Sequence, residues 1–144
     1  MKRWMTLAVF LLALVLSACS SATPGATTGR AAKIAPVSQL SPAAQKAPTR
    51  VREAYQFAVA NPDLMKQIPC YCGCGAMGHT SNYACYIKEA KSDGSVNFDD
   101  HALGCSLCVD ITQDARRMLD EGKSAQDIRA AIVANYSQFG PPNQ

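Results

Sequence analysis

The chain has 144 residues, 14 of them basic and 11 acidic, for a formal net charge of +3. Lys2 and Arg3 supply two of those positive charges; beyond residue 18 the balance is 12 basic against 11 acidic residues, with no basic cluster, and nucleic acid is excluded as an expected partner. Seven cysteines in so short a chain are the strongest compositional bias, and they point to a disulfide framework, a redox centre or a metal site.

In chain order, the first element is a secretory signal: charged Lys2 and Arg3, an apolar run from Leu7 to Leu16, then Ser17 and Ala18 before Cys19. It is too short and wrongly flanked for a transmembrane span. "LSAC" resembles the lipobox of bacterial lipoproteins. That resemblance implies cleavage after residue 18 and a lipid anchor on Cys19, so the protein faces the periplasm or the exterior, tethered to the cell envelope. Several acyl chains hold firmly where one binds marginally. Residues 20–48 are rich in Ala, Ser, Thr and Pro without a helical apolar stripe, and read as a flexible tether. The expected organisation is therefore a signal peptide over 1–18, a lipidated tether over 19–48 and a folded domain over 49–140. A domain of that size has a marginal core, which cross-links or a metal would reinforce.

Within the domain the signals are helical. Val51, Ala54, Tyr55, Ala58 and Val59 share one helical face, with Thr49 as the expected N-cap. Asn61-Pro62 interrupts that helix. "SDGSVNFDD" contains Val96 and Phe98, but Asp93-Gly94 and the polar neighbours favour a loop. From Cys108 an apolar line runs through Ile111, Ala115, Met118 and Leu119 to a Gly122 C-terminal cap. Ser124 and Asp127 then cap a second helix, whose inner stripe is Ile128, Ala131, Ile132 and Asn135 or Tyr136. The expected fold class is all-α: a small helical domain with a cysteine-rich loop.

Six cysteines fall in the domain: Cys70, Cys72, Cys74, Cys85, Cys105 and Cys108. An even number in a small exported domain makes structural disulfides the default. The spacing argues otherwise. A bridge within C-x-C closes a very small ring, and three crowded thiols would need all three remaining ones as partners. A tetrahedral metal site needs sulfurs roughly 3.8 Å apart, whereas Cys70 and Cys74 in an extended strand lie about 13 Å apart. The chain must wrap, and Gly73 and Gly75 supply the freedom to do so. "CSLC", Cys105 to Cys108, starts a helix, where thiol pKa values fall. It reads as half of a metal site or as a redox dithiol, without the βαβ setting of thioredoxin. Haem attachment is disfavoured because Val109 follows Cys108. His79 and His101 stand near the two thiol groups as candidate ligands. Asp99, Asp100 and Asp110 read as solvated or capping residues. Soft sulfur donors, with Met65 and Met77 nearby, favour Cu(I) over Zn(II).

"IPCYCGCG", "GHTSNYACYI", "FDDHALGCSLC" and "EGKSAQDIRAAI" together resemble the bacterial PCYCGC-motif lipoproteins over residues 49–140. The resemblance implies export, lipidation and metal handling, with Cys70, Cys72, Cys74, Cys85, Cys105, Cys108, His79 and His101 as the motif residues. The D-x-H part of the pattern is met by Asp99 and His101. The C-terminal helical pair is also similar to that of the thiol oxidoreductases of cytochrome c maturation. The expected function is a membrane-anchored protein that binds Cu(I) or Zn(II) for trafficking, scavenging or sensing. Its partners would be the membrane and a metal donor or acceptor protein, and its role binding rather than catalysis. The alternatives are a thiol–disulfide protein using Cys105 and Cys108, and a disulfide-stapled structural lipoprotein.

Overall fold

The computed structural model describes residues 31–143. The expected signal sequence, Cys19 and the first part of the expected tether lie outside the described residues. Six helices carry the domain: α1 (Pro42–Lys46), α2 (Thr49–Ala60), α3 (Pro62–Met65), α4 (His101–Gly104), α5 (Ser106–Asp120) and α6 (Ala125–Tyr136). One antiparallel hairpin, β1 (Ile87–Ala90) and β2 (Val96–Phe98), interrupts them. No helix among these residues is long and apolar enough to cross a membrane.

The C-terminal pair follows the sequence reading. Gly122 adopts φ +81°, the left-handed conformation that ends α5 without a Cβ penalty. Ser124 Oγ then accepts from the Asp127 N–H at 3.1 Å and opens α6. α5 buries Cys108, Ile111, Ala115 and Met118, and α6 buries Ile128, Ile132 and Tyr136, while Asn135 stays exposed. α2 packs across α5 and contributes Ala54, Tyr55, Phe57 and Ala58 to the same core. Asn61 ends α2 and Pro62 starts α3, as a proline in the first turn allows. Thr49 does not cap α2; it is the first helical residue, preceded by Pro48.

Two expectations change. Residues 31–48 are not loose. Ala35, Leu40 and Ala44 are buried, and the segment is pinned by Gln56 Nε2 to the Ala35 carbonyl (2.6 Å) and Asn61 Nδ2 to the Lys33 carbonyl (2.7 Å). A short α1, capped by Ser41 Oγ, finds its apolar partner on α2 rather than within its own sequence. The folded unit therefore begins well before residue 49. The fold is also not all-α. Residues 96–98 pair with β1 in the register Ile87↔Phe98, Glu89↔Asn97 and Ala90↔Val96, closed by an Asp93-Gly94 turn. Phe98 reaches the Tyr55 ring (6.2 Å), and this contact outweighs the local preference for a loop. The domain is compact and mostly helical.

Candidate functional site: a cysteine–histidine cluster

Four separate stretches deliver the thiols. After α3, Ile68 and Pro69 are buried and the chain turns through Cys70, Tyr71 and Cys72. Gly73, at φ +74°, reverses it into a 3₁₀ turn over Cys74–Met77. Gly78, at φ +85°, ends that turn; Gly75 keeps an ordinary backbone, so the expected role of Gly75 passes to Gly78. His79 follows, then a second 3₁₀ turn places Cys85. The β-hairpin returns the chain to Asp99, α4 presents His101, and Cys105 stands as the N-cap of α5 with Cys108 in its first turn.

These segments converge on one body of sulfur. Cys70 Sγ lies 3.2 Å from Cys72, 3.5 Å from Cys108 and 3.7 Å from Cys85, and Cys105 and Cys108 are 3.2 Å apart. Cys72 and Cys74 are paired sulfur to sulfur, and the remaining four thiols are free. No wider disulfide framework forms among the described residues. His79 Nδ1 stands 3.2 Å from Cys74 Sγ. The two imidazoles meet edge to face at 4.9 Å. All eight side chains singled out in the sequence fall into three overlapping groups whose ligand atoms lie within 4.8 Å of one another: Cys70, Cys72, Cys74 and Cys85; Cys72, His101, Cys105 and Cys108; and Cys74, His79 and His101. Such groups could coordinate a metal ion. The sulfur separations of 3.5 and 3.7 Å lie close to the roughly 3.8 Å edge of a tetrahedral sulfur site, and the two of 3.2 Å fall short of it.

The surroundings are polar where the donors need support and closed elsewhere. Cys70, Cys85 and Cys108 have no exposed surface. Hydrogen bonding with the Cys108 and Cys85 thiols favours the charged form of Cys70 and lowers its pKa. Cys108 is pushed well above the usual thiol range by its contacts with Cys70 and Cys85 and by burial. Its position at a helix start does not lower it, contrary to expectation. Behind Cys108, Tyr86 Oη donates to the Cys108 carbonyl (3.0 Å), and Thr112 Oγ1 sits 2.7 Å from Tyr86 Oη and 2.9 Å from the same carbonyl. Asn82 Nδ2 donates to Thr112 Oγ1 at 2.6 Å. This buried polar net fixes the first turn of α5 against the cysteine loop.

Two contributors escaped the sequence reading. Asp99 is not merely solvated. One carboxylate oxygen lies 3.3 Å from His79 Nε2 and the other accepts from the His101 N–H at 2.8 Å. A carboxylate on one ring nitrogen leaves the other, Nδ1, aimed at Cys74, which is the support that metal-binding histidines characteristically have. The D-x-H spacing was the available signal. Asn143, near the C-terminus, is buried over the cluster. Its N–H donates to the Cys70 carbonyl (2.7 Å) and its Nδ2 lies 3.1 Å from Cys74 Sγ. In the opposite orientation of the same amide, the oxygen accepts from the Cys74 and Gly75 N–H groups, both at 3.3 Å. No local signal predicts this, because the contact spans 69 residues. Met65 is fully buried, Met77 is exposed, and neither belongs to the donor groups. Asp110 pairs with Arg50 on the surface.

His101 Nε2 is buried without a hydrogen-bond partner. An orphaned imidazole nitrogen in a sulfur-lined site costs free energy unless something binds it. Two surface depressions, one lined by residues such as Lys88, Asn97 and Phe98 and the other by α5 residues, include none of the eight donors. The donors are packed on one another rather than arranged around a substrate-sized void.

No curated protein and no solved structure matches the chain, so the similarity of the C-terminal pair to cytochrome c maturation proteins gains no support. The family described as "Protein of unknown function with PCYCGC motif" matches residues 8–144, and the chain belongs to that family.

Proposed function

We propose that this protein binds soft metal ions, Cu(I) ahead of Zn(II), through Cys70, Cys72, Cys74, Cys85, Cys105, Cys108, His79 and His101. It acts on the outer side of a bacterial membrane, held by lipid on Cys19. The observation that carries the reading is the convergence of all eight donors, together with an Asp99-oriented His79 and a buried, partnerless His101 Nε2. Preference for Cu(I) follows from the sulfur-rich donor set. Free thiolates and reduced metal go together, so the binding form is the one in which Cys72 and Cys74 are both thiols. A donor or acceptor protein would then load or unload the cluster.

The test uses the full chain, solubilised in detergent and purified anaerobically, with bound metal and free thiols measured on one sample. Stoichiometric metal with thiolate-to-metal charge-transfer absorption is the expected result. A reduced protein that takes up neither Cu(I) nor Zn(II) overturns the reading. The anchor is tested separately: Cys19→Ser should move the protein from the membrane fraction to the soluble one.

A second reading keeps one supporting observation. Cys105 and Cys108 lie 3.2 Å apart at a helix N-terminus, as a redox dithiol would. It predicts disulfide exchange with a small dithiol that Cys105→Ser abolishes and that metal does not inhibit.

A further inference from the structure

We propose that the cluster is polynuclear, holding at least two soft metal ions at once with the Cys72 thiolate bridging them. This rests on the soft-metal reading above and adds the number of ions and their connection.

A tetrahedral ion takes four protein ligands, and eight donors are present in one continuous body. Two of the groups contain four donors each: Cys70, Cys72, Cys74 and Cys85, and Cys72, His101, Cys105 and Cys108. They share Cys72 alone and together use all six domain cysteines. They are not separate sites, because Cys70 Sγ of the first lies 3.5 Å from Cys108 Sγ of the second. A thiolate sulfur carries several lone pairs and can serve two ions. A neutral imidazole offers one acceptor nitrogen and serves a single ion. Cys72 is therefore the side chain able to join the two groups. Cys74, His79 and His101 form the third group.

Cys70, Cys85 and Cys108 are fully buried, and among the described residues the hydrogen-bond partners of the cluster sulfurs include other cysteines, His79 and Asn143. Loading starts from the reduced Cys72–Cys74 pair. A small dithiol gives two electrons and two protons to that pair, breaking its sulfur–sulfur bond and becoming a cyclic disulfide. Each thiol then releases its proton to solvent when it binds metal.

The experiment titrates the reduced full chain anaerobically with Cu(I) held by a chromophoric competitor, and counts ions by native mass spectrometry. Chains carrying two or more ions should appear with little singly loaded species. X-ray absorption at the copper edge should show a metal–metal scattering shell. Cys72→Ser, at a half-exposed position, should lower capacity by at least one ion per chain while circular dichroism stays unchanged. Saturation at one ion per chain overturns the polynuclear proposal, and a Cys72→Ser protein with undiminished capacity and the same metal–metal shell overturns the Cys72 bridge; either result leaves soft-metal binding standing. Failure to hold any Cu(I) against the competitor overturns both.

Discussion

The α5–α6 pair and the segment from Ile68 to Cys85 enclose the same core by different means. In the helical pair, Ile111, Ala115, Met118, Ile128 and Ile132 recur at helical spacing, and the turn is closed by its own glycine and cap. The cysteine segment has little regular structure. Its backbone is held across the loop and from far away: the Asn82 N–H to Ile68 at 2.8 Å closes the loop, while the Asn143 N–H to Cys70 at 2.7 Å and the Asn82–Thr112–Tyr86 net behind Cys108 tie it to distant segments. A helix satisfies its own backbone and needs only one apolar stripe. An irregular loop must borrow partners, and here its centre is filled by sulfur in place of hydrocarbon. The helical pair should then be a stable scaffold under any conditions, and the loop a region whose order depends on what the sulfurs bind.

That contrast can be broken or sharpened. The largest effect is expected from stripping metal from a loaded protein with a chelator. At metal a thousandfold above the dissociation constant, the loss is about 4 kcal/mol. In hydrogen exchange, residues 70–85 should lose protection first while α5 and α6 retain theirs; uniform loss would erase the distinction. Next, Ile132→Ala, at a fully buried position, should cost about 3 kcal/mol in denaturant unfolding, equally with and without metal. A cost that depended on metal would show the scaffold is not independent. Third, Thr112→Val keeps the shape but removes the hydroxyl bound to Asn82 and Tyr86. It should cost about 2 kcal/mol and weaken metal binding, tying the two regions through one residue. Fourth, Asn143→Ala should cost about 1 kcal/mol and speed alkylation of the metal-free cluster thiols, because it uncovers Cys74. Unchanged alkylation would remove the tail from the site. Smallest of all, Arg117→Ala breaks an exposed link to Asp114 and Glu121 and should leave the melting temperature where it was.

Much of this was readable from residues alone. The Gly122 stop, the Ser124 cap and the Asn61-Pro62 break are local events that neighbouring side chains decide, and each falls where the sequence placed it. The donor set was legible too, because C-x-C and C-x-x-C crowd thiols in a way that packing does not require. Less legible were the segments whose order comes from elsewhere. Residues 31–48 lack an apolar stripe of their own, yet Leu40 and Ala44 are buried. Val96 and Phe98 read as loop until β1 and Tyr55 stood beside them. Asp99 and Asn143 gain their meaning only from what they touch.

The sequence by itself marked which side chains could coordinate a metal and that a mostly helical domain would carry them, since residue type and spacing along the chain are enough for both. Only the tertiary structure decided that the thiol-bearing stretches meet in one cluster, that Cys72 lies within reach of both four-donor groups, and that Asp99 and Asn143 touch it. Contacts across tens of residues are set by how the core closes, and no short-range pattern records that closure.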